Sequence, residues 1–197
     1  IEWKQQLDSN NDTIDKTGLK IEALSATLGS TGIVTQAEID KIKTQFNTLY
    51  ECVRDNMSLS EEVILTSLVG AMKRATPEIS AEIDALIGEY QRYVRETQGR
   101  AEELSGMIEN GYDELIGKHK DDPAYQEIRD KITGWYEELG YLNGSMSESG
   151  WKWQQTVADF NSGEIDFGTD IETAKEKIGE IAAVGQTALA DVATARD

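Results

Sequence analysis

The sequence predicts an all-α fold: an elongated bundle of helical hairpins with coiled-coil-like segments, six or seven helices and no sheet. Three observations predict it. The 197 residues contain only two prolines, Pro77 and Pro123. Apolar residues recur at three- and four-residue steps, which is the spacing of one helix face. No stretch of useful length alternates apolar and polar residues as a half-buried strand does.

The first third of the chain predicts three helices. The first covers residues 2–28, and the glycines of GSTG end it. A second helix begins after Thr35, because Glu38 follows three residues later. This is the spacing of a capping box, in which each residue's side chain accepts a hydrogen bond from the other's backbone N–H. Ser58 and Glu61 repeat the spacing and predict the start of a third helix.

The middle of the chain predicts one long helix. Thr76 suits an N-cap and Pro77 the first helical position, where its missing N–H costs nothing. The apolar pattern then continues for roughly 40 residues. Glycines within it predict a break or bend near residues 106–111. The predicted apolar face consists of Ile79, Ile83, Leu86, Ile87, Tyr90, Val94, Ala101, Leu104, Ile108, Tyr112, Leu115 and Ile116.

A second proline boundary precedes the last third of the chain. Asp122 is predicted as an N-cap and Pro123 as the first helical residue. Gly140 is predicted to end this helix, and the sequence YLNGSMSESG at 141–150 predicts a polar linker. A short helix then follows.

The closing stretch, residues 169–197, predicts a helix with a heptad seam. The seam positions are Ile171, Ala174, Ile178, Ile181, Gly185, Ala188, Val192 and Ala195. The seam runs to the last residue, so we expect residues 1–197 to be one helical segment of a longer chain. Within it we expect sub-boundaries near residues 75–77 and 141–150. We also expect copies of the segment to associate with each other through the heptad seams.

The net charge of −18 limits the partners. Nucleic acids and anionic membranes attract clustered Lys and Arg, so neither is an expected partner. An acidic chain could instead mimic DNA, but a solvated helical face accounts for the same charge. No run of 18 apolar residues occurs, and so no membrane-spanning segment is predicted.

Residues with catalytic or metal-binding chemistry are few. His119 is the only histidine, which excludes a two-histidine zinc site and a Glu-x-x-His di-iron site within these residues. We expect His119 to cap a helix dipole. Cys52 is the only cysteine, with no histidine near it in sequence, and is predicted to be a buried or half-buried packing residue.

One stretch partly matches a calcium loop. Asp8, Asn10 and Asp12 occupy positions one, three and five of an EF-hand, but Thr13 and Leu19 stand where Gly and Glu are required. We therefore expect Asp12 to cap a helix. The sequence predicts no enzyme, no catalytic, cofactor-binding or metal residue and no cofactor.

Six aromatic residues gather within 26 residues around the predicted linker. They are Trp135, Tyr136, Tyr141, Trp151, Trp153 and Phe160. The cluster predicts either a small core where two helices meet or an exposed patch that docks a partner. Both interpretations stay open at this point.

Residues 132–197, which begin ITGWYEELG, resemble the central helical region of tail tape measure proteins of phages and prophages of Gram-positive bacteria. The likeness, one of style over roughly residues 76–197, lies in helical runs rich in Ala, Gly, Asp and Lys, in glycine-punctuated heptads, and in a W-x-x-x-(V/L)-x-x-F helix. The resemblance implies a non-enzymatic structural role in tail-length determination and assembly.

The resemblance also implies tail tube or other tail proteins as partners. It implies a location in the bacterial cytoplasm during assembly and then in the virion tail. The alternative is an acidic helical protein-binding module that docks a partner through Trp135, Tyr136, Trp151 and Trp153.

Overall fold

The computed structural model describes residues 2–74 and 77–161, together with the isolated positions 172, 176, 179 and 183. Within these ranges the chain forms four helices: α1 (Glu2–Thr27), α2 (Gln36–Arg74), α3 (Pro77–Leu115) and α4 (Pro123–Asn161). The all-α prediction is confirmed. The described ranges hold four helices where the sequence predicts six or seven for the whole chain. The predicted seam at 169–197, and Thr76 as an N-cap, lie outside the described residues.

Two predicted helix boundaries were wrong because buried positions continue through them. At Ser58 no helix starts, since Met57, Ser60 and Ile64 all lie on the buried face of α2. The predicted linker 141–150 is a continuous part of α4. Its buried residues fall at helical steps: Leu142, Asn143, Met146 and Ser149. Packing along this face offsets the helix-breaking tendency of the glycines.

The predicted break near residues 106–111 was also wrong, since α3 is continuous to Leu115. The buried stripe of α3 runs through this stretch with Leu104, Ile108 and Tyr112. The long apolar face predicted from the sequence is buried, except that Ile87 and Ile116 are half-buried.

Two compact units divide the chain. The first unit comprises Ile1–Asn56 and Gly99–Tyr141, and the second comprises Met57–Gln98 and Leu142–Asp197. The buried apolar residues of the first unit include Ile39, Ile42, Phe46, Val53, Leu104, Ile108, Leu115, Ile132 and Leu139. Those of the second include Ile64, Leu68, Ile79, Ile83, Leu86, Tyr93, Leu142, Met146 and Trp153.

The two connections of the first unit pair with each other. Val34 donates its N–H to the Lys118 carbonyl at 2.9 Å, and Gly117 donates to the Val34 carbonyl at 2.9 Å. An isolated antiparallel bridge joins Ile33 and His119. Gly117 has a φ of 81°, a left-handed conformation that glycine adopts without steric cost. The α1–α2 and α3–α4 connections are therefore fixed at the same end of this unit.

Two helix starts predicted from local capping residues, one at Thr35 and one at Asp122, are confirmed in the first unit. Glu38 Oε2 accepts hydrogen bonds from Thr35 N at 2.7 Å and Thr35 Oγ1 at 2.9 Å. The Glu38 N–H donates to Thr35 Oγ1 at 3.4 Å, which completes the box. At the start of α4, Asp122 Oδ1 accepts from the Ala124 N–H at 2.9 Å, and Pro123 is the first helical residue.

Candidate functional site

A cleft of about 400 Å³ opens in the first unit between α1, α3 and α4. Its apolar lining consists of Ile21 of α1, Leu28 just after α1, Leu115 of α3 and Ile132 of α4. All four of these side chains belong to the buried core of the unit. The volume lies within the range of pockets that hold small molecules in proteins. We call this feature the tyrosine cleft, after the three phenol rings that also line it.

Hydrogen-bonded phenols line the tyrosine cleft. The Tyr112 and Tyr136 hydroxyl oxygens lie 3.3 Å apart and share a hydrogen bond, and Ser25 of α1 belongs to the same lining. The Tyr136 ring is held edge-on against Phe46, with ring centroids 5.5 Å apart. Burial raises the pKa of both Tyr112 and Tyr136, so each keeps its O–H proton at neutral pH.

Charged side chains stand at the edge of the tyrosine cleft. Glu22 of α1 and Glu137 of α4 line it, and so does Arg129 of α4. All three residues are exposed. Arg129 acts on Tyr125, because its positive charge opposes the rise that burial causes in the pKa of that phenol. The edge therefore carries one positive charge near Tyr125 and two carboxylates.

Two glycines shape the walls of the first unit. A Cβ at Gly111 would lie 2.8 Å from Ile132 Cγ1 and 3.0 Å from Trp135 Cζ3, so this glycine allows α3 and α4 to approach closely. A Cβ at Gly18, which lines the tyrosine cleft, would meet no atom within 4 Å. The missing side chain at Gly18 leaves open space on the α1 side.

The predicted helix-capping role of His119 was wrong. His119 lies beyond the end of α3 at Leu115, outside the last turn in which a cation interacts with the helix dipole. Its Nδ1 accepts a hydrogen bond from the Asp121 N–H at 3.2 Å. Cys52 is half-buried on α2, as predicted, and burial is the main cause that raises the pKa of its thiol.

The partial calcium-loop match lies inside a helix. Asp8, Asn10 and Asp12 all belong to α1, so they cannot wrap around an ion as a loop does. The prediction that Asp12 caps a helix was wrong, since its carboxylate instead pairs with Lys16 at 2.5 Å. Asn10 is buried and donates to Asn56 Oδ1 at 2.8 Å. In the described ranges no group of three or more His, Cys, Asp or Glu could hold a metal ion.

The predicted aromatic cluster is divided between the two units. Trp135, Tyr136 and Tyr141 belong to the first unit, and Trp151 and Trp153 to the second. Trp153 is 3% exposed and its ring centroid lies 6.4 Å from that of Tyr90. Trp151 is 43% exposed. The Phe160 side chain lies outside the described residues. The core interpretation therefore holds for Trp153, whereas Tyr136 is half-buried in the other unit.

Sequence reasoning missed the tyrosine cleft. Tyr112 and Tyr125 stand out in the sequence only as members of apolar helix faces, and nothing local places Ser25 beside them. Gly18 of α1 lies in the lining of the cleft, and its missing side chain leaves open space there.

Comparison with known proteins found no relative of the chain. No family model, no curated protein and no solved structure matches the chain. Over the described part of the chain, none of the helices combines the length and the apolar character that crossing a membrane requires.

Proposed function

We propose that the chain is a non-enzymatic structural segment of a phage tail tape measure protein, acting in tail-length determination and assembly. One observation carries the proposal: α2, α3 and α4 each contain 39 residues, about three times the mean helix length of globular proteins. A helix converts a number of residues into a fixed length, at about 1.5 Å per residue. That conversion is the property a molecular ruler needs.

The partners in this proposal are tail tube or other tail proteins and further copies of the segment. Self-association would use the heptad seam at 169–197, whose small and apolar residues suit close helix packing. The surface charge supports partners other than nucleic acid, since the chain carries 37 acidic and 19 basic residues.

An antibody against this chain tests the proposal on the native protein. The antibody is used to blot source cells, purified tail particles and the particle-free fraction. We expect a band far larger than 21.8 kDa that purifies with the tails. A band near 21.8 kDa in the particle-free fraction alone would contradict the proposal.

A second candidate is the acidic protein-binding module. It is favoured by Trp151, which is 43% exposed on α4, because tryptophan is enriched among the residues that carry binding energy at protein interfaces. Here the antibody would recover a 21.8 kDa chain together with a stoichiometric partner. Loss of that partner on Trp151→Ala, with an unchanged helix content, would support this candidate over the first.

A further inference from the structure

We propose that the tyrosine cleft of the first unit binds a small organic ammonium ion with an aromatic or branched apolar body. This inference concerns a ligand of the first unit, and it is independent of the tape measure proposal. The cleft, its phenol lining and its charged edge each supply one part of the argument.

The interior of the cleft favours an apolar body. The cleft of about 400 Å³ is lined in part by core residues of three helices, among them Ile21, Leu115 and Ile132. An apolar ligand of that size would remove this surface from water, which is favourable in proportion to the area covered. The hydroxyls of Ser25, Tyr112 and Tyr136 add polar atoms that could orient one end of a ligand.

The phenol rings favour a positive charge on that ligand. Tyr112 and Tyr136 line the cleft with ring centroids 6.4 Å apart, and Tyr125 lies in the same lining. Aromatic faces carry partial negative charge and attract ammonium groups. Because burial keeps these phenols protonated, the rings contribute this attraction without carrying a full charge.

The edge of the cleft has the charge that complements an ammonium ion. Glu22 and Glu137 reach the lining from α1 and α4, and in the described ranges neither forms an ion pair. Arg129 precedes Glu137 by two helical turns, about 12 Å along α4. The Arg129 guanidinium and the Glu137 carboxylate are therefore separated along the cleft. The net charge of −18 also raises the local concentration of cations over anions.

Three probes of similar size and different charge test the proposal: phenethylamine as the cation, phenethyl alcohol as the neutral compound and 3-phenylpropionate as the anion. They are titrated into the full chain labelled at the isoleucine δ1 methyls. Ile21 and Ile132 report on the cleft, and Ile79 and Ile83 of the second unit serve as internal controls.

We expect saturable shifts of the Ile21 and Ile132 methyls with phenethylamine and no shift at Ile79 and Ile83. The cation should bind about tenfold more tightly than the anion, with the neutral compound between them. Equal binding of all three probes, tighter binding of the anion, or no saturable shift at the two cleft methyls would each overturn the proposal.

Two sets of variants locate the site. Gly18→Met places a side chain in the open space of the cleft and should abolish the shifts. Gly134→Met is its control, since a Cβ at Gly134 also meets no atom within 4 Å but lies outside the lining. Retained binding in Gly18→Met would overturn the assignment to this cleft.

The double variant Glu22→Gln with Glu137→Gln tests the charged edge. It should weaken phenethylamine binding about fivefold and leave phenethyl alcohol unchanged. Glu51→Gln, on the exposed surface of α2, is the control and should change neither. An equal loss for the cationic and the neutral probe would overturn the role of the carboxylates.

Discussion

Arg100 of α3 and Glu138 of α4 form a bidentate ion pair in the first unit. Arg100 Nε lies 2.6 Å from Glu138 Oε1, and Arg100 Nη2 lies 2.8 Å from Glu138 Oε2. The two side chains are 12% and 9% exposed. Hydrogen bonding to Glu138 raises the pKa of Arg100, and a second carboxylate, Glu103, lies 2.7 Å from Arg100 Nη1. The pair links α3 to α4 within the first unit.

Removing the charge of Glu138 should destabilise the first unit. Glu138→Gln leaves a largely buried guanidinium with Glu103 as its remaining carboxylate partner, and we expect a loss of about 2–3 kcal/mol in the free energy of unfolding. Urea denaturation followed by circular dichroism measures it. Glu127→Gln on the same helix is the control, since Glu127 pairs with Lys131 in solvent. Equal effects of the two variants would contradict the prediction.

Two glycine substitutions should have opposite effects. Gly111→Ala places a Cβ 2.8 Å from Ile132, so we expect a loss of about 1–3 kcal/mol despite the better helix propensity of alanine. Gly134→Ala meets no atom within 4 Å and should stabilise the protein by about 1 kcal/mol. The melting temperatures of both variants, measured against the wild type, test these two expectations. A stabilised Gly111→Ala variant would show that α3 and α4 do not approach closely there.

The capping carboxylate of Glu38 should stabilise α2 in a pH-dependent way. Its pKa is lowered from the model-compound value of 4.5, first by the hydrogen bond from the Thr35 N–H and then by that from the Thr35 hydroxyl. Because the folded-state pKa lies below the unfolded one, the stabilisation is complete above about pH 4.5 and is lost as the pH falls through the folded-state value.

Glu38→Gln tests this titration. We expect the variant to be less stable than the wild type by about 0.5–1 kcal/mol near neutral pH, and the difference to shrink in acid, where Glu38 is protonated in both states. Urea denaturation of both proteins across this pH range gives the difference directly. A gap that stays constant down to about pH 3 would contradict the role of the charge.

The buried asparagine pair should show energetic coupling. Asn56 is 0% exposed; its Oδ1 accepts from Asn10 and its Nδ2 donates to Asn11 Oδ1 at 3.0 Å. We expect Asn56→Ala to cost about 2 kcal/mol, since Asn10 loses its buried partner. The double variant Asn10→Ala with Asn56→Ala should cost less than the sum of the single variants. Additive losses in this double-mutant cycle would show that the pair does not interact.

Parts of the fold were predictable because their signals are local. A capping box such as that of Thr35 and Glu38 acts within one helical turn, so residue types and spacing suffice to find it. The same holds for Asp122 and Pro123. Apolar periodicity likewise identified the buried face of α3, since a helix face repeats over short sequence distances.

The same local signals gave wrong boundaries elsewhere. Ser58 and Glu61 have capping-box spacing, yet α2 continues through them because Met57 and Ser60 lie on its buried face. The linker predicted at 141–150 contains glycines and serines, and Leu142 and Met146 nonetheless carry the buried stripe of α4 through it. Residues distant in sequence supply that packing, and no local pattern records them.

The sequence by itself determined the helical class, the caps at Thr35 and Asp122, and which faces are apolar, because these depend on neighbours within a few residues. Only the tertiary structure decided which of those faces meet. It placed Tyr136 and Trp153 in separate units and joined Arg100 to Glu138. It also left the tyrosine cleft open beside Gly18, since a cavity is a property of how three helices pack and of no single helix.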